Sequence, residues 1–249
     1  MQHEISYDSL RELDPRALGP VAGGRRVYYV AKRVLDITLA TLALICLSPV
    51  MALIAFLIKR DTPGPIFFVQ ERVGVERRTY NNTTYWQQVV FRCYKFRTMV
   101  CNADPSLHQA YVKALMSEDK QRMADLQGGE TQIRKLTHDP RITHLGRILR
   151  ISSLDETPQF WNVLIGDMSL VGPRPAIPYE VEMYKPWYRR RLETKPGITG
   201  LWQVTARCSA DFEESVRLDI HYIEEQSLWL DIKILLKTPL AVISCKGAV

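Results

Sequence analysis

The stretch VLDITLATLALICLSPVMALIAFLI, residues 34–58, is the most unusual part of this sequence. It contains a single charged residue, Asp36, and as a straight α-helix it would be roughly 37 Å long. The hydrocarbon core of a bilayer is ~30 Å thick, so length and composition alone predict a membrane-spanning helix. Its flanks and its interior indicate a different arrangement.

Basic residues flank the apolar stretch at both ends, as the pairs 32–33 and 59–60, and positive charge favours the cytoplasmic side of a membrane. The interior contains Ser48 and Pro49, and a proline inside a helix removes one hydrogen bond and kinks the axis. The two arms would measure about 21 and 15 Å, each too short to cross the bilayer. Ser48 is predicted to satisfy a carbonyl freed at the bend. The sequence therefore favours a re-entrant helix-break-helix over a spanning helix.

The chain divides into an N-terminal leader (1–30), the membrane segment (31–60) and a main folded domain (61–249). The leader lacks a basic start followed by an apolar run, so it is not predicted to be a secretory signal. Two strands are predicted in the main domain, IFFVQERVG and QQVVFRCYKFRTM, joined by a polar connection around YNNTTY. Period-two alternation would place Cys93, Lys95 and Arg97 on one face of the second strand.

Helical patterns account for most of the remaining sequence. Residues 103–127 are polar and helix-prone and are expected to form an exposed excursion. Residues 211–243 have apolar residues at helical spacing, which suits either amphipathic helices in the membrane interface or core helices, and the pattern leaves both open. The predicted fold class is α+β and mainly helical.

The composition is that of a globular chain with a basic surplus. Of 249 residues, 46% are hydrophobic, and 33 Lys and Arg against 27 Asp and Glu give a formal net charge of +6. Such a surplus suits an anionic partner, whether phosphates, acidic lipid headgroups or nucleic acid. The five cysteines are widely spaced without a CxxC pair, so neither a disulfide framework nor a zinc site is predicted.

The run SSLDETPQFWNVLIGDMSLVGPRP, residues 152–175, contains the residues that suggest chemistry. Thr157 followed by Pro158 fits an N-cap and first helical position, with a short helix over 159–165 that stops at Gly166. Asp155 and Glu156 then lie at the helix entrance. In a rival interpretation, Ser153 and Glu156 form a capping box with no role beyond stability.

Two adjacent carboxylates among basic residues suit phosphate chemistry. An Asp near a helix N-terminus and cations is expected to have a depressed pKa, which would make Asp155 a permanently ionised nucleophile. Glu156 could hold Mg²⁺ against a diphosphate. Each of the nearby basic residues, taken alone, suits a solvated surface charge. As a group they are candidates for neutralising phosphate oxygens. The candidates are Lys95, Arg97, Arg150 and Arg174. Arg174 lies between two prolines, which would restrict its backbone.

Further motifs extend this pattern along the chain: KRVLD with the internal SP, FVQERVG, YKFRTM, LTHDPRITHLGRILR, KPGITGLWQV and VRLDIHYIEEQSLWLDIKILLKT. With the 152–175 run, these motifs resemble the bacterial sugar transferases, the monotopic polyprenyl-phosphate phosphoglycosyl transferases, in order over nearly all of residues 32–245. The resemblance implies a monotopic membrane protein in its minimal form, with a re-entrant helix broken at Ser48-Pro49 and a catalytic domain on the cytoplasmic face of the bacterial inner membrane.

The resemblance also implies roles for single residues. Asp155 matches the family's nucleophile, Glu156 its Mg²⁺ ligand, and Arg150 a phosphate-contacting arginine. Lys95, Arg174 and Asp219 match other polar positions of the family. Arg207 is a further substrate-binding candidate, although Ala206 stands before it where glycine is expected, and the connection over 75–88 is longer than usual.

The implied reaction transfers a phosphosugar from a nucleotide diphosphate sugar, expected to be a UDP-sugar, to undecaprenyl phosphate through a covalent aspartyl intermediate. This step would initiate the synthesis of an exopolysaccharide or another glycoconjugate. The expected partners are both substrates and membrane lipids, without nucleic acid, and a homo-oligomer is left open. The rivals are a metal-dependent phosphohydrolase at the membrane, with water as acceptor, and a non-catalytic membrane scaffold. No residue pattern indicates the sugar.

Overall fold

The computed structural model describes residues 25–81, 83–102, 104, 106–117, 119–126, 139, 141–206 and 211–244. The fold is α+β and mainly helical, as the sequence predicts. The helices are α1 (Arg26–Asp61), α2 (Ser106–Met116), α3 (Lys120–Leu126), α4 (His144–Ile151), α5 (Gln159–Ile165), α6 (Pro178–Glu182), α7 (Leu201–Thr205), α8 (Phe212–Glu224) and α9 (Leu228–Ser244). The strands are β1 (Phe67–Tyr80), β2 (Thr83–Phe96), β3 (Ser169–Val171) and β4 (Gly197–Thr199), and 3₁₀ turns cover Leu154–Glu156 and Pro186–Leu192.

Helix α1 contains the apolar stretch and runs through the predicted break. Its helical backbone continues past Pro49, where the sequence predicts two arms. Pro49 has no N–H to donate to the carbonyl of Ile45, four residues earlier. The hydroxyl of Ser48 donates to that same carbonyl at 2.8 Å. The predicted role of Ser48, satisfying the freed carbonyl, is therefore confirmed.

Both ends of α1 pack on the rest of the protein. Its buried residues are Lys32, Asp36 and Ala40 in the first half and Ile54 and Ile58 in the second. No residue between these two groups is buried. Among the described helices, α1 is the one long and apolar enough to cross a membrane. Its exposed large apolar side chains are Val27, Val30, Val34, Ile37, Leu42, Ile45, Val50, Leu53, Phe56 and Leu57.

Polar side chains attach the first half of α1 to the domain. The carboxylate of Asp36 accepts hydrogen bonds from the Ser169 hydroxyl at 3.1 Å and from the Leu170 backbone N–H at 2.9 Å. The ammonium of Lys32 pairs with Asp231 in α9 at 2.9 Å, and both side chains are buried. These bonds explain charged residues beside an apolar run, because a buried charge is tolerated only when it is paired or hydrogen-bonded.

Strands β1 and β2 form a long antiparallel hairpin. The two predicted strands are confirmed, and they extend into the connection over 75–88. Val75 pairs with Gln88, and the ladder continues to Tyr80 and Thr83. Asn81, in the left-handed region at φ 48°, lies in the turn, which suits the tolerance of asparagine for that conformation. Most of this connection is therefore part of the hairpin.

Strands β3 and β4 bring two distant motifs together as a parallel pair. The N–H of Gly172 donates to Thr199 at 2.9 Å, and the N–H of Gly197 donates to Pro173 at 2.8 Å. A Cβ on Gly197 would lie 2.1 Å from the backbone nitrogen of Gly172. This close approach requires glycine in both GPRP and KPGITG, because no side chain fits between the two backbones.

The other predicted helices form, with differing burial. Helices α2 and α3 form within the predicted excursion, which is not fully exposed, since Tyr111, Val112 and Ala114 of α2 are buried. Helix α8 is a core helix. Helix α9 buries Asp231 and Ile234 and exposes an apolar stripe at helical spacing, composed of Trp229, Ile232, Leu236, Leu240 and Ile243. The core interpretation is therefore confirmed for α8, whereas the interfacial interpretation stays a prediction for α9.

Helix α5 packs against β2 through one buried amide. The side chain of Asn162, 0% exposed, accepts from the backbone N–H of Tyr94 at 3.1 Å and donates to the carbonyl of Arg92 at 2.6 Å. It also donates to Asp167 at 3.2 Å. Asn162 thus satisfies two backbone groups of β2 beyond those paired with β1, as a neighbouring strand would.

We expect Asn162→Ala to lower the free energy of unfolding by about 2–3 kcal/mol, because the substitution leaves an N–H and a C=O of β2 without their partner. In a chain of this size that loss corresponds to a decrease in Tm of about 4–12 °C. Thermal unfolding in detergent measures it. The matched control is Gln121→Ala, which removes an exposed amide and should leave Tm unchanged. Equal Tm values for Asn162→Ala and the control would contradict this role.

Candidate active site

The two adjacent carboxylates lie in the 3₁₀ turn Leu154–Glu156, directly before α5. The chain enters this turn through Ser153, which has a left-handed backbone at φ 56° and makes no side-chain capping bond. The capping-box interpretation is therefore wrong. Thr157 is also not the predicted N-cap, because its hydroxyl donates back to the Leu154 carbonyl at 2.8 Å. The 3₁₀ turn supplies the helix entrance, and α5 ends at Gly166 as predicted.

Lys95 of β2 lies next to this turn. The ammonium of Lys95 lies 2.5 Å from Oε1 of Glu156. Both side chains are only partly buried, so their ion pair remains reachable from solvent. Because Asn162 holds α5 on β2, the strand face that carries Cys93 and Lys95 meets the end of the turn.

Asp155 is surrounded by one like charge and two opposite charges. Partial burial raises the pKa of its carboxyl, the charge of Glu156 raises it further, and the cations Lys95 and Arg150 act in the opposite direction. The net direction is upward, so the predicted depressed pKa is wrong. The prediction considered the cations and omitted both desolvation and the repulsion from the neighbouring carboxylate.

Arg150 reaches Asp155 from α4. Its Nε donates to the hydroxyl of Thr98 at 3.0 Å, which orients the guanidinium. One turn earlier, Gly146 packs directly on the Thr98 backbone, since a Cβ there would lie 2.1 Å from the Thr98 carbonyl oxygen. The glycine in LGRILR therefore sets the distance from α4 to the segment that follows β2. Burial lowers the pKa of Arg150 and the charge of Asp155 raises it.

Arg174 is exposed on a segment that is anchored at both ends. The Pro173 carbonyl accepts from Gly197, and the Pro175 carbonyl accepts from the guanidinium of Arg72 at 2.8 Å. Both prolines are buried. The backbone of Arg174 is thus restricted by its neighbours, as the two prolines predict, while its charged end is open to solvent.

These elements enclose a narrow cleft beside the two carboxylates. It is lined by Arg72, Cys93, Lys95, Glu156, Gln159, Arg174, Pro175, Gly197, Ile198 and Gln203. The structure therefore brings Lys95, Glu156 and Arg174 to one cleft, with Asp155 and Arg150 adjoining Glu156. Sequence reasoning missed Arg72, Gln159 and Gln203. Each lies inside a quoted motif, but which side chains face the cleft depends on the packing of β1, α5 and α7.

Two predicted site residues are not part of this arrangement, and a third is not described. Arg97 donates to the carbonyls of Pro63 at 2.6 Å and Thr62 at 2.7 Å, so it ties the end of α1 to the end of β2. Asp219 is 1% exposed and pairs with Arg191 at 2.7 Å, away from the cleft, and burial raises its pKa to about 6. Arg207 lies outside the described residues.

The carboxylates suit a metal that a substrate helps to bind. Within the described ranges, no group of three or more His, Cys, Asp or Glu residues could hold a metal ion. Mg²⁺ commonly takes one or two carboxylates and completes its shell with water and substrate phosphates. Asp155 and Glu156 are hard oxygen donors of this kind. The residues therefore fit a Mg²⁺ ion that is bound together with a diphosphate.

Comparison with known proteins agrees with this architecture. A family model described as bacterial sugar transferase matches residues 27–245. The exopolysaccharide production protein ExoY of Sinorhizobium fredii is 37% identical over 93% of this chain and 91% of its own length. The galactosyl transferase CpsE of Streptococcus agalactiae is 42% identical over 89% of this chain and 44% of its own length.

The undecaprenyl-phosphate galactose phosphotransferase of Salmonella typhimurium is 41% identical over 87% of this chain and 41% of its own length. The chain thus spans less than half the length of the streptococcal and Salmonella relatives and nearly all of the Sinorhizobium relative. Family model, identity and coverage agree: this chain belongs to the bacterial sugar transferase family.

Proposed function

We propose that this chain is a phosphoglycosyl transferase that moves a phosphosugar from a UDP-sugar to undecaprenyl phosphate, an initiating step of exopolysaccharide or other glycoconjugate synthesis. The observation that carries the proposal is Asp155 in a partly buried turn, flanked by Glu156, Lys95 and Arg150 at the edge of a basic cleft. Phosphoryl transfer through a covalent intermediate requires a nucleophile, here a carboxylate, and cations that neutralise the phosphate oxygens. The name of the Salmonella relative supports the lipid acceptor.

The reaction proceeds in two displacements. An oxygen of the Asp155 carboxylate attacks the phosphorus that bears the sugar, and the bond to the nucleoside monophosphate breaks, with its electron pair leaving on the nucleotide. An oxygen of the polyprenyl phosphate then attacks the same phosphorus. The bond to Asp155 breaks, which gives polyprenyl diphosphate sugar and restores the carboxylate.

The other residues of the site stabilise charge. Arg150 and Arg174 neutralise phosphate oxygens, because a guanidinium can donate two parallel hydrogen bonds to a phosphate. Lys95 leaves Glu156 to pair with the diphosphate when the substrate enters the cleft. Glu156 would hold Mg²⁺ together with the diphosphate, and the ion would supply Lewis-acid withdrawal of charge from the phosphate oxygens.

The apolar surface supports attachment to the cytoplasmic face of the inner membrane through a re-entrant α1. Both ends of α1 pack on one domain, the middle is exposed, and Ser48 relieves the missing hydrogen bond at Pro49. Elements that contact α1 continue the apolar surface, with Ile148 and Ile151 on α4, Trp161 and Ile165 on α5, and the exposed stripe of α9. An apolar stripe beside such a helix suits the membrane interface.

The topology predicts that both ends of α1 lie in the cytoplasm. Single cysteines at the exposed positions Arg26 and Arg60, in a background without native cysteines, should resist an impermeant thiol reagent in intact spheroplasts. Both should react after permeabilisation, because the reagent then reaches the cytoplasm. Labelling of either one in intact cells would disprove the re-entrant arrangement. Pro49→Ala restores the missing hydrogen bond and should convert part of the population to a spanning form.

The mechanism predicts that the first displacement needs no lipid. Purified protein with Mg²⁺ and an accepted UDP-sugar should release about one equivalent of UMP per active site and then stop, because the phosphosugar remains on Asp155. Steady-state kinetics with both substrates should give parallel lines. Asp155→Asn keeps the shape but is a poor nucleophile, so both the burst and the turnover should be lost.

Mass spectrometry of the stalled protein should find the phosphosugar on the peptide that contains Asp155. Robust turnover without this adduct would refute the nucleophile assignment. UMP release that continues without lipid would indicate a phosphohydrolase, and the absence of any UMP release, with or without the lipid, would leave only a scaffold role.

Glu156→Gln separates the two roles of Glu156. Loss of its negative charge lowers the pKa of Asp155, so the acid limb of the pH profile for UMP release should move to lower pH. The direction follows because the ionised carboxylate is the nucleophile and activity is lost as the pH falls through its pKa. Single-turnover UMP release at saturating Mg²⁺ measures the shift, and an unchanged or raised acid limb would contradict it.

The same variant should need more Mg²⁺ for half-maximal release, because an amide is a weaker ligand than a carboxylate. Wild-type turnover that survives EDTA unchanged would exclude a metal role. The control is Glu76→Gln, an exposed carboxylate on β1, which should change neither the pH profile nor the Mg²⁺ requirement.

A further inference from the structure

Two buried polar atoms in the wall of the cleft lack a hydrogen-bond partner among the described residues. They are Nε of Arg72, a residue only 7% exposed, and Oε1 of Gln203. Buried polar atoms are nearly always hydrogen-bonded, because leaving one unpaired is destabilising. Both residues line the cleft that contains Glu156. This combination indicates a ligand group that supplies the missing partners.

The surrounding bonds fix what each atom can do. The terminal nitrogens of Arg72 donate to the Pro175 carbonyl at 2.8 Å and to the Gln70 amide oxygen at 2.6 Å, so Nε is the one guanidinium nitrogen without a partner. The amide nitrogen of Gln203 donates to the Ile198 carbonyl at 3.3 Å, and its oxygen has no donor. The missing partners are therefore an acceptor for Arg72 and a donor for Gln203.

A hydroxyl group is the ligand chemistry that satisfies both, since it donates one hydrogen bond and accepts others. A phosphate oxygen would satisfy Arg72 but would be repelled by the Gln203 oxygen, because both are acceptors. A flat nucleobase commonly stacks on an aromatic side chain, and none is among the residues that line the cleft. Arg72 and Gln203 line the same cleft as Glu156, which adjoins the proposed nucleophile Asp155.

We propose that Gln203 and Arg72 form the subsite that reads a hydroxyl of the transferred sugar. The inference rests on the proposed function and deepens it: Gln203 accepts a hydrogen bond from one sugar hydroxyl, and Nε of Arg72 donates to the same or an adjacent one.

The test is a double-mutant cycle between the protein and the sugar. UDP-galactose, UDP-glucose and UDP-N-acetylgalactosamine are assayed first with undecaprenyl phosphate, and the one used with the lowest KM is then compared with its monodeoxy analogues. In the wild type, removing the hydroxyl that Gln203 reads should lower kcat/KM about tenfold. Gln203→Met keeps the length of the side chain but has no acceptor. With the parent sugar, its kcat/KM should therefore be about tenfold below that of the wild type. With that analogue, its kcat/KM should be close to that of the wild type.

Further variants and ligands separate recognition from a structural effect. Gln203→Glu keeps an acceptor, so it should discriminate between parent and analogue as the wild type does. This variant keeps the test decisive if Gln203→Met folds poorly. Thr205→Ala, an exposed change on α7, should behave as wild type. Inhibition by UMP should be equal in all variants, because UMP carries no sugar outside its ribose.

The outcomes are distinct. If Gln203→Met weakens every monodeoxy analogue by the same factor as the parent, Gln203 reads no sugar hydroxyl and the inference is overturned. Coupling to the 2′-hydroxyl of the uridine instead would also overturn it and would assign the subsite to the nucleoside. If the wild type transfers from no UDP-sugar, the proposed function itself fails before any variant is tested.

Discussion

The amide of Asn162 connects the element that begins with the two carboxylates to the strand that carries Lys95. It bonds to the backbone of Arg92 and Tyr94 at the free edge of β2, so α5 cannot slide along the strand without breaking two hydrogen bonds. Because Asn162 is fully buried, water does not compete for these bonds. The 2.5 Å contact between Lys95 and Glu156 depends on that register.

The membrane helix is attached to the same element. Arg33 of α1 donates to the carbonyls of Val163 and Leu164 at the end of α5, where a cation also complements the helix dipole. Asp36 binds β3, which leads directly into the segment of Arg174. A helix with an apolar exposed surface is therefore joined by its polar side chains to both sides of the cleft. This arrangement gives the reactive groups a constant position relative to the bilayer in the proposed function.

The charges around Asp155 have opposing effects on its ionisation. Asp155 and Glu156 repel each other, and partial burial adds to the cost of keeping Asp155 ionised. Lys95 and Arg150 offset both effects, and each is oriented by a bond to another element. An anionic substrate that draws Lys95 away from Glu156 changes this balance, which links binding to the state of the nucleophile.

The sequence by itself determined the helical α+β class, the hairpin, the helix over 159–165 and the grouping of Asp155, Glu156, Lys95, Arg150 and Arg174, because these follow from local periodicity and adjacent motifs. Only the tertiary structure decided which charged residues face the cleft. Arg97 and Asp219 are charged residues in motifs like those that contribute to the site, but both bind elsewhere. Arg97 donates to Thr62 and Pro63, and Asp219 pairs with Arg191. The pKa direction of Asp155 and the unpaired atoms of Arg72 and Gln203 also depend on burial. Burial arises from contacts between residues far apart in the chain, and local sequence patterns do not contain it.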